Sequence, residues 1–356
     1  MKQEVSYKIT YFNLFMALAI VFYHWHGQFF ELDNFTVSQP VNQELLTKTN
    51  IFFNNIGGVA VSYFFVLSGF LFYRDADDTN VWKKMRRRIY TLGAPFVLWN
   101  AFKVVYDYAV FRYPGFSDWK GLVLGFTLEP FDGPLWHMLA LLFLMLVAPV
   151  LVKVKKKNRT LVTIVLFALV IGSSVFRHTV AQELLAPLRF GRYFERLIGY
   201  FPMYFLGVFL GMFYHDEILF EKYTSVKLSV IAFVAVIACG VVFWNMGETG
   251  IIPIVCQRIQ MFGLWIGLDS KLFKFKPLRP FKISVVIYAL HQITLIPVVN
   301  SWVVNRWMNY SYGMGGHVLL AFAAVLVLYV FCVAAVYMMK LVLSEKLFNA
   351  MSGGRI

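Results

Sequence analysis

The chain has 356 residues, 59% of them hydrophobic and only 15% charged, with a mean hydropathy of +0.65. A soluble protein of this size has no use for so much apolar surface, and successive runs approach the ~20 residues that cross a bilayer. The formal charge of +14 does not point to nucleic acid, because Lys and Arg come as short clusters between apolar runs, the pattern of cytoplasmic loops.

Taken in order, the apolar runs predict an all-α integral membrane protein with about ten transmembrane helices. They lie at roughly 9–28, 55–73, 89–110, 135–152, 160–176, 197–214, 228–245, 251–268, 283–303 and 317–340. Lys103 and Asp107 interrupt the third. The first run is long and no small-residue cleavage site follows it, so a retained span is expected rather than a signal peptide. Basic clusters at "WKKMRRR" (82–88), "KVKKKNR" (153–159) and "KLFKFKPLRPFK" (271–282) place both termini in the cytoplasm. Cys239, Cys256 and Cys332 fall inside apolar runs, which suggests neither a disulfide framework nor a zinc site. No soluble domain is appended, so a single membrane domain over 5–345 is expected.

The first span ends in "FYHWHGQFF" (22–30). On a helix His24 and His26 stand about 200° apart and cannot face the same way. His24 shares a face with Asn13, Ala17 and Ile20, whereas His26 shares one with Phe15, Ala19 and Phe22. Small and polar residues mark the side turned to protein, so His24 is expected inward and His26 at the membrane edge or beside the substrate. With this topology His137, His178 and His317 lie near the outer face and His215 at the inner end of span 6. The outer loop 177–196 carries Arg177, Arg189, Arg192 and Arg196 against Glu183 and Glu195; an anionic ligand and lipid phosphate are both open as its partner. His291 lies partway along span 9 in "ISVVIYALHQIT" (283–294), where Ser284, Tyr288 and His291 share a face and Gln292 is adjacent. So many polar groups in one span need partners, either as interhelical glue or as a site. Arg258 in "CQRIQ" (256–260) must face the bundle or a wet cavity, with an anionic partner expected.

"GGVAVSYFFVLSGFLFYR" (57–74) followed by "WKKMRRRIYTLGAPFVLWN" (82–100) resembles the acyltransferase-3 family of polytopic bacterial membrane acyltransferases. The span-1 histidine, "GPLWHMLALLFL" (133–144), "YFPMYFLGVFLG" (200–211) and "IYALHQ" (287–292) extend the resemblance from about residue 5 to 340. It implies a ten-span chain in the bacterial plasma membrane with both termini inside. It also implies transfer of an acyl group, often acetyl, from cytoplasmic acyl-CoA to a hydroxyl of an extracytoplasmic glycan or lipid-linked saccharide. Acyl-CoA (acetyl-CoA) would be a co-substrate, with no permanently bound cofactor or metal. The family's usual Arg or Lys eleven positions before the histidine is absent: Asn13 stands there relative to His24 and Phe15 relative to His26. Lys8 is close in sequence but about 160° off the His24 face. The family's Arg-x-x-Arg at the inner start of span 3 is met only conservatively, by Lys83 with Arg86 or Lys84 with Arg87, and Arg88 adds a further charge. Such a cluster suits the phosphates of CoA, although positive-inside topology alone would also put it there.

Acyl transfer from a thioester to an alcohol needs a base for the hydroxyl and a group to hold the developing oxyanion. His24 is expected as the base, or as a covalent acyl carrier. His291 or Tyr288 would orient it or donate to the thioester oxygen. His26, Arg258, Asp132 and Trp136 form the expected substrate-contacting set; the last two come from "TLEPFDGPLWH" (127–137), whose aromatic and acidic groups suit a sugar or an interface belt. Ser68 in "LSGF" could carry an acyl group, but with Gly69 it reads better as a close helix contact. A pantetheine arm of about 15–20 Å would let a nucleotide held inside present its thioester across much of a core of roughly 30 Å. Two other readings share the composition. A transporter or flippase of an envelope glycan or small anionic solute would use the intramembrane charges without consuming thioester. A non-catalytic subunit of glycan assembly would explain the missing span-1 cation.

Overall fold

The computed structural model describes residues 2–30, 43–112, 115–176, 191–219, 221, 225–247, 250–295 and 314–354. Every regular element among them is helical. Along the chain these are α1 (Gln3–Phe30), α2 (Gln43–Tyr73), α3 (Val81–Arg88), α4 (Ala94–Phe111) and α5 (Trp119–Thr127). Then come α6 (Trp136–Met145), α7 (Ala148–Lys157), α8 (Arg159–Phe176), α9 (Gly191–Phe213) and α10 (His215–Leu219). The series ends with α11 (Val226–Met246), α12 (Ile251–Gly267), α13 (Ser284–Leu290), α14 (Met314–Val342) and α15 (Glu345–Ser352). Two π-helical turns interrupt the α geometry, Ile89–Gly93 before α4 and His291–Leu295 after α13.

Helix ends follow local chemistry. Asp118 caps α5 by accepting from the Gly121 amide at 2.7 Å, and Ser225 caps α11 by accepting from Leu228 at 3.2 Å. Gly353, with φ of 68°, closes α15 in the left-handed region that a side chain would resist.

Among the described residues four helices are long and apolar enough to cross a membrane: Gln3–His24, Asn50–Tyr73, Val226–Met246 and Phe322–Val342. A fifth candidate is the pair Gly133–Met145 and Ala148–Lys157, bent by 40° at the break. Pro149 stands in the first turn of α7, where its missing N–H breaks no bond of that helix but ends the ladder of the one before. Among the described residues, shorter apolar stretches of helix are Arg159–Ser173, Leu197–Phe213, Ile251–Gly267 and Ser284–Ile293. The segment expected as span 3 is helical as α4, with its Lys103 and Asp107 bonded to each other one turn apart. Part of the expected span 9 lies outside the described residues.

The chain divides into two compact units, one formed by Met1–Val61 with Glu221–Val342, the other by Ser62–Phe220 with Leu343–Ile356. In the first, α1 presents Ala17, Ile20 and Val21 to the core and leaves Phe15 exposed. Near its start Lys8, with no exposed surface, donates to Glu221 Oε1 at 2.7 Å and to the Trp265 carbonyl at 2.8 Å. The ammonium also stands 4.2 Å from the Trp265 ring centroid. Glu221 Oε2 accepts from the Ser270 amide at 3.1 Å, so both carboxylate oxygens are engaged. Glu221 holds φ of 47°, uncommon for a residue with a Cβ, in a turn that these bonds fasten. Residues Ser284–Leu290 of α13 are buried throughout.

In the second unit, backbone meets backbone. A Cβ on Gly207 would lie 2.1 Å from the Val66 carbonyl oxygen, and one on Gly211 2.5 Å from that of Phe70. From the facing helix, a Cβ on Gly69 would lie 2.5 Å from the Tyr204 carbonyl. Gly207 and Gly211 are four residues apart, the small-xxx-small spacing that lets membrane helices approach closely. Gly69 of "LSGF" thus serves helix packing. Farther along, the Trp99 indole donates to the Met351 carbonyl at 3.0 Å and ties α15 to α4.

Candidate active site

In the first unit the expected catalytic side chains meet. His24, half-buried on α1, has its ring centroid 5.1 Å from that of His291. The Tyr288 ring stands 5.9 Å from His291, edge to face. His24 Nδ1 lies 2.6 Å from Gln292 Nε2, 268 residues later in the chain. His291 is wholly buried, and its Nδ1 lies 3.0 Å from the Ile287 carbonyl. A carbonyl can only accept, so Nδ1 carries the proton and Nε2 is bare. That Nε2 is buried with no hydrogen-bond partner among the described residues.

The local geometry follows from the sequence. Ser284, Tyr288 and His291 recur one helical face apart and are all buried. Gln292 would point about 100° away from His291 on a regular helix. A π-helical turn begins at His291, and both side chains touch His24. Such turns concentrate at functional sites. Gln292 was not among the expected site residues; its adjacency to a mid-span histidine was the signal.

Arg258 is half-buried on α12 of the same unit. Its neighbour Gln257 donates to the Asn54 carbonyl at 3.3 Å, and Gln257 also fills the space that a Cβ on Gly58 would need. His26 belongs to α1, but its side chain lies outside the described part, as does that of His317 on α14. Loop residues 177–190, with Arg177, His178, Glu183 and Arg189, are likewise outside, as are the side chains of Arg192, Glu195 and Arg196.

The basic cluster sits on α3 in the second unit, and its five charges are not equivalent. Val81 and Met85 anchor the buried side of this short helix while Trp82 is exposed. Lys84 is half-buried and bonded to Asp75. Burial lowers the Lys84 ammonium against the opposing pull of Asp75. Partial burial would raise the Asp75 carboxyl, but the bond and charge of Lys84 hold it below the usual carboxylate range. Arg88 donates to the Ser68 carbonyl at 3.1 Å. Lys83, Arg86 and Arg87 are exposed, and their side chains make no hydrogen bond or ion pair among the described residues. They are the charges available to a polyanion.

Asp132 and Trp136 flank the 3-10 turn before α6, also in the second unit. Trp136 packs against Phe65 and Tyr200 at centroid distances of 5.9 and 5.8 Å. Asp132 is 1% exposed, and neither carboxylate oxygen has a partner among the described residues. Its backbone amide donates to Asn100 Oδ1 at 3.3 Å. Burial pushes its carboxyl well above the usual range; Lys103 pulls the other way and Asp107 adds to the rise. Among the described residues no group of three His, Cys, Asp or Glu side chains is placed to hold a metal.

No curated protein and no solved structure matches the chain. The model of an acyltransferase domain, acyltransferase-3, matches residues 7–339, nearly all of it and both units. With helices apolar and long enough to cross a membrane and a pair of imidazoles held among them, the chain belongs to the acyltransferase-3 family of membrane acyltransferases.

Proposed function

We propose that this protein moves an acyl group, acetyl in the simplest case, from acyl-CoA to a hydroxyl of an extracytoplasmic glycan or glycolipid. The observation that carries this reading is the His24–His291 pair, two imidazoles in ring contact among apolar helices of an acyltransferase. The protein would work in the bacterial plasma membrane through about ten spans, with both termini cytoplasmic and cytoplasmic acyl-CoA as the donor. Acyl-CoA is the co-substrate, and no permanently bound cofactor takes part.

The acceptor oxygen attacks the thioester carbonyl while His24 Nε2 takes the hydroxyl proton. The tetrahedral intermediate then expels the thiolate, the C–S bond breaks, and the proton passes to sulfur to release CoA. His291 Nε2, bare and buried, accepts a hydrogen bond from a second hydroxyl of the acceptor, which suits a sugar. Tyr288 packs edge-on against His291 and holds its ring. Lys83, Arg86 and Arg87 bind the CoA phosphates, while Lys84 and Arg88 brace the helix that carries them. Arg258, His26, Asp132 and Trp136 remain the acceptor-contacting set.

The test compares envelope glycans from cells making the wild-type chain and His24→Ala, by mass spectrometry of ester-linked acyl groups. The variant is expected to reduce acylation by about 10²–10⁴-fold. Acylation undiminished in the variant would remove His24 from the reaction. Purified protein should consume acyl-CoA only when acceptor is present, and thioester left intact in that mixture would speak for transport instead.

A further inference from the structure

Asp132 is a buried carboxyl whose two oxygens have no partner among the described residues. Such a group stays neutral or, once ionised, needs a cation. A lysine is at hand on α4, where Asn100, Lys103 and Asp107 follow one another at successive turns of one face. Asn100 is buried; its Oδ1 accepts from the Asp132 amide at 3.3 Å and its Nδ2 donates to the Phe96 carbonyl at 3.0 Å. The turn before α6 is thereby pinned to this face of α4. Lys103 Nζ donates to both oxygens of Asp107, at 2.6 and 2.5 Å. Lys103 thus stands about one turn from Asp107 and one turn from the point where Asp132 is attached.

Asp107 belongs to the same corner, for a Cβ on Gly115 would lie 3.8 Å from Asp107 Oδ2 and 3.4 Å from the Phe131 ring. Phe131, next to Asp132, packs against Phe116 and Phe126 and fills the space beside Gly125, so the side toward α5 is aromatic. Asp118, Lys120 and Glu129 on that side are exposed. On α6, His137 Nδ1 lies 3.2 Å from the Pro134 carbonyl. The charges that act on Asp132 among the described residues are Lys103, which favours its ionised form, and Asp107, which opposes it.

The present partnership of Lys103 is the weaker of the two open to it. Asp107 lies one turn from the end of α4, where the exposed Arg112 follows. With side chains 21% and 13% exposed, an i,i+4 pair there holds its members loosely. A carboxylate as enclosed as Asp132 gains far more from an ammonium. Once Asp132 gives its proton to water the preference of Lys103 reverses, and its four-carbon stem can cross by changing rotamers.

We propose that Lys103 changes partners under the control of the Asp132 proton: it stays on Asp107 while Asp132 is an acid, and turns to Asp132 when that group ionises, joining α4 to the turn before α6. The exchange lowers the cost of ionising Asp132 without abolishing it, because Asp107 is left without its ammonium. The uncommitted acid can meet a hydroxyl and the lysine-bound carboxylate cannot, so the exchange governs the acceptor contact given to Asp132 above. That consequence rests on the proposed activity; the exchange itself does not.

The experiment is carbon NMR of the full-length protein labelled with ¹³C-aspartate in lipid bilayers, titrated with pH. The two carboxyl signals are identified by their loss in Asp132→Asn and Asp107→Asn. In the wild type, Asp132 is expected to ionise above the ordinary carboxylate range, and the Asp107 signal to change in the same pH step as its ammonium leaves. In Asp132→Asn the Asp107 signal should hold still over that range. In Lys103→Met the Asp132 midpoint should rise by about one pH unit or more, and Asp107 should no longer follow it. An Asp107 signal that ignores the ionisation of Asp132 in the wild type overturns the inference, as does an Asp132 midpoint unchanged in Lys103→Met. If the signals behave as stated but the purified protein transfers no acyl group, the reading of the activity fails and the exchange stands.

Discussion

The two units treat buried charge in opposite ways. In the first, Lys8 and Glu221 are both withdrawn from solvent and every contact is answered: a carboxylate, a carbonyl and an indole face for the ammonium, an ammonium and an amide for the carboxylate. In the second, Asp132 is as deeply buried, yet both of its oxygens stand without a partner among the described residues. A saturated pair behaves as a strut, because removing either member strands the other. An unsatisfied carboxyl adds nothing to packing and costs desolvation, so its retention asks for a reason outside stability. Burial alone therefore does not rank these residues by importance to function; the state of their hydrogen bonds does.

The sharpest way to break this comparison is Lys8→Met, which leaves the Glu221 carboxylate buried without its ammonium. It is expected to destabilise the detergent-solubilised protein by about 3–5 kcal/mol in denaturation curves, and Lys8→Met with Glu221→Leu should recover most of the loss. A single variant that melts like wild type would show that the pair is no strut. Next comes Gly207→Ala in the second unit. Its new Cβ would meet the Val66 carbonyl, a backbone atom with no rotamer to escape through, at a cost of about 1–3 kcal/mol. Undiminished thermal stability there would mean that the glycine contact is not what joins these helices.

Asp132→Asn should act in the opposite direction. Because the carboxyl is raised, the folded chain binds its proton more tightly than the unfolded chain does. Its contribution is therefore complete below the ordinary carboxylate range and lost as pH rises through the folded value. Variant and wild type should unfold together in acid, and the variant should be more stable by about 1–2 kcal/mol at mildly alkaline pH. Equal stability at both ends would place the carboxylate in a site that already compensates its charge. At the small end, Lys156→Ala removes an exposed partner of Asp78 and should leave the unfolding curve unchanged.

Hydropathy located the helices well, since the described parts of the apolar runs fall largely on helical chain. Whether each is a full span is a different question, because bends depend on where hydrogen-bond ladders end, as at Val147 before Pro149. Periodicity also picked the right face of α1, for Ala17 and Ile20 are buried while Phe15 is not. The meeting of His24, His291 and Tyr288 was anticipated from polar residues in apolar spans. Gln292 was noted beside His291 but given no role in the site, because 3.6-residue geometry turns it about 100° from the face that His291 shares with Ser284 and Tyr288. Lys8 was judged by its angle to His24, which is correct but incomplete: its partner is a loop glutamate that no local spacing could reveal. The five positive charges of α3 looked alike as letters, and only packing divides them into three that are exposed and two that hold the helix.

The Lys8–Glu221 bond also has a history. Its members are 213 residues apart, and at synthesis rates of about 5–20 residues per second the second is made roughly 10–40 s after the first. For that interval the first helix must keep a bare ammonium at the edge of the lipid, its long stem letting the charge reach toward the headgroups. Only when Glu221 arrives can that charge be drawn inside, so the N-terminal end of the helix that carries His24 takes its final seat late in the birth of the chain.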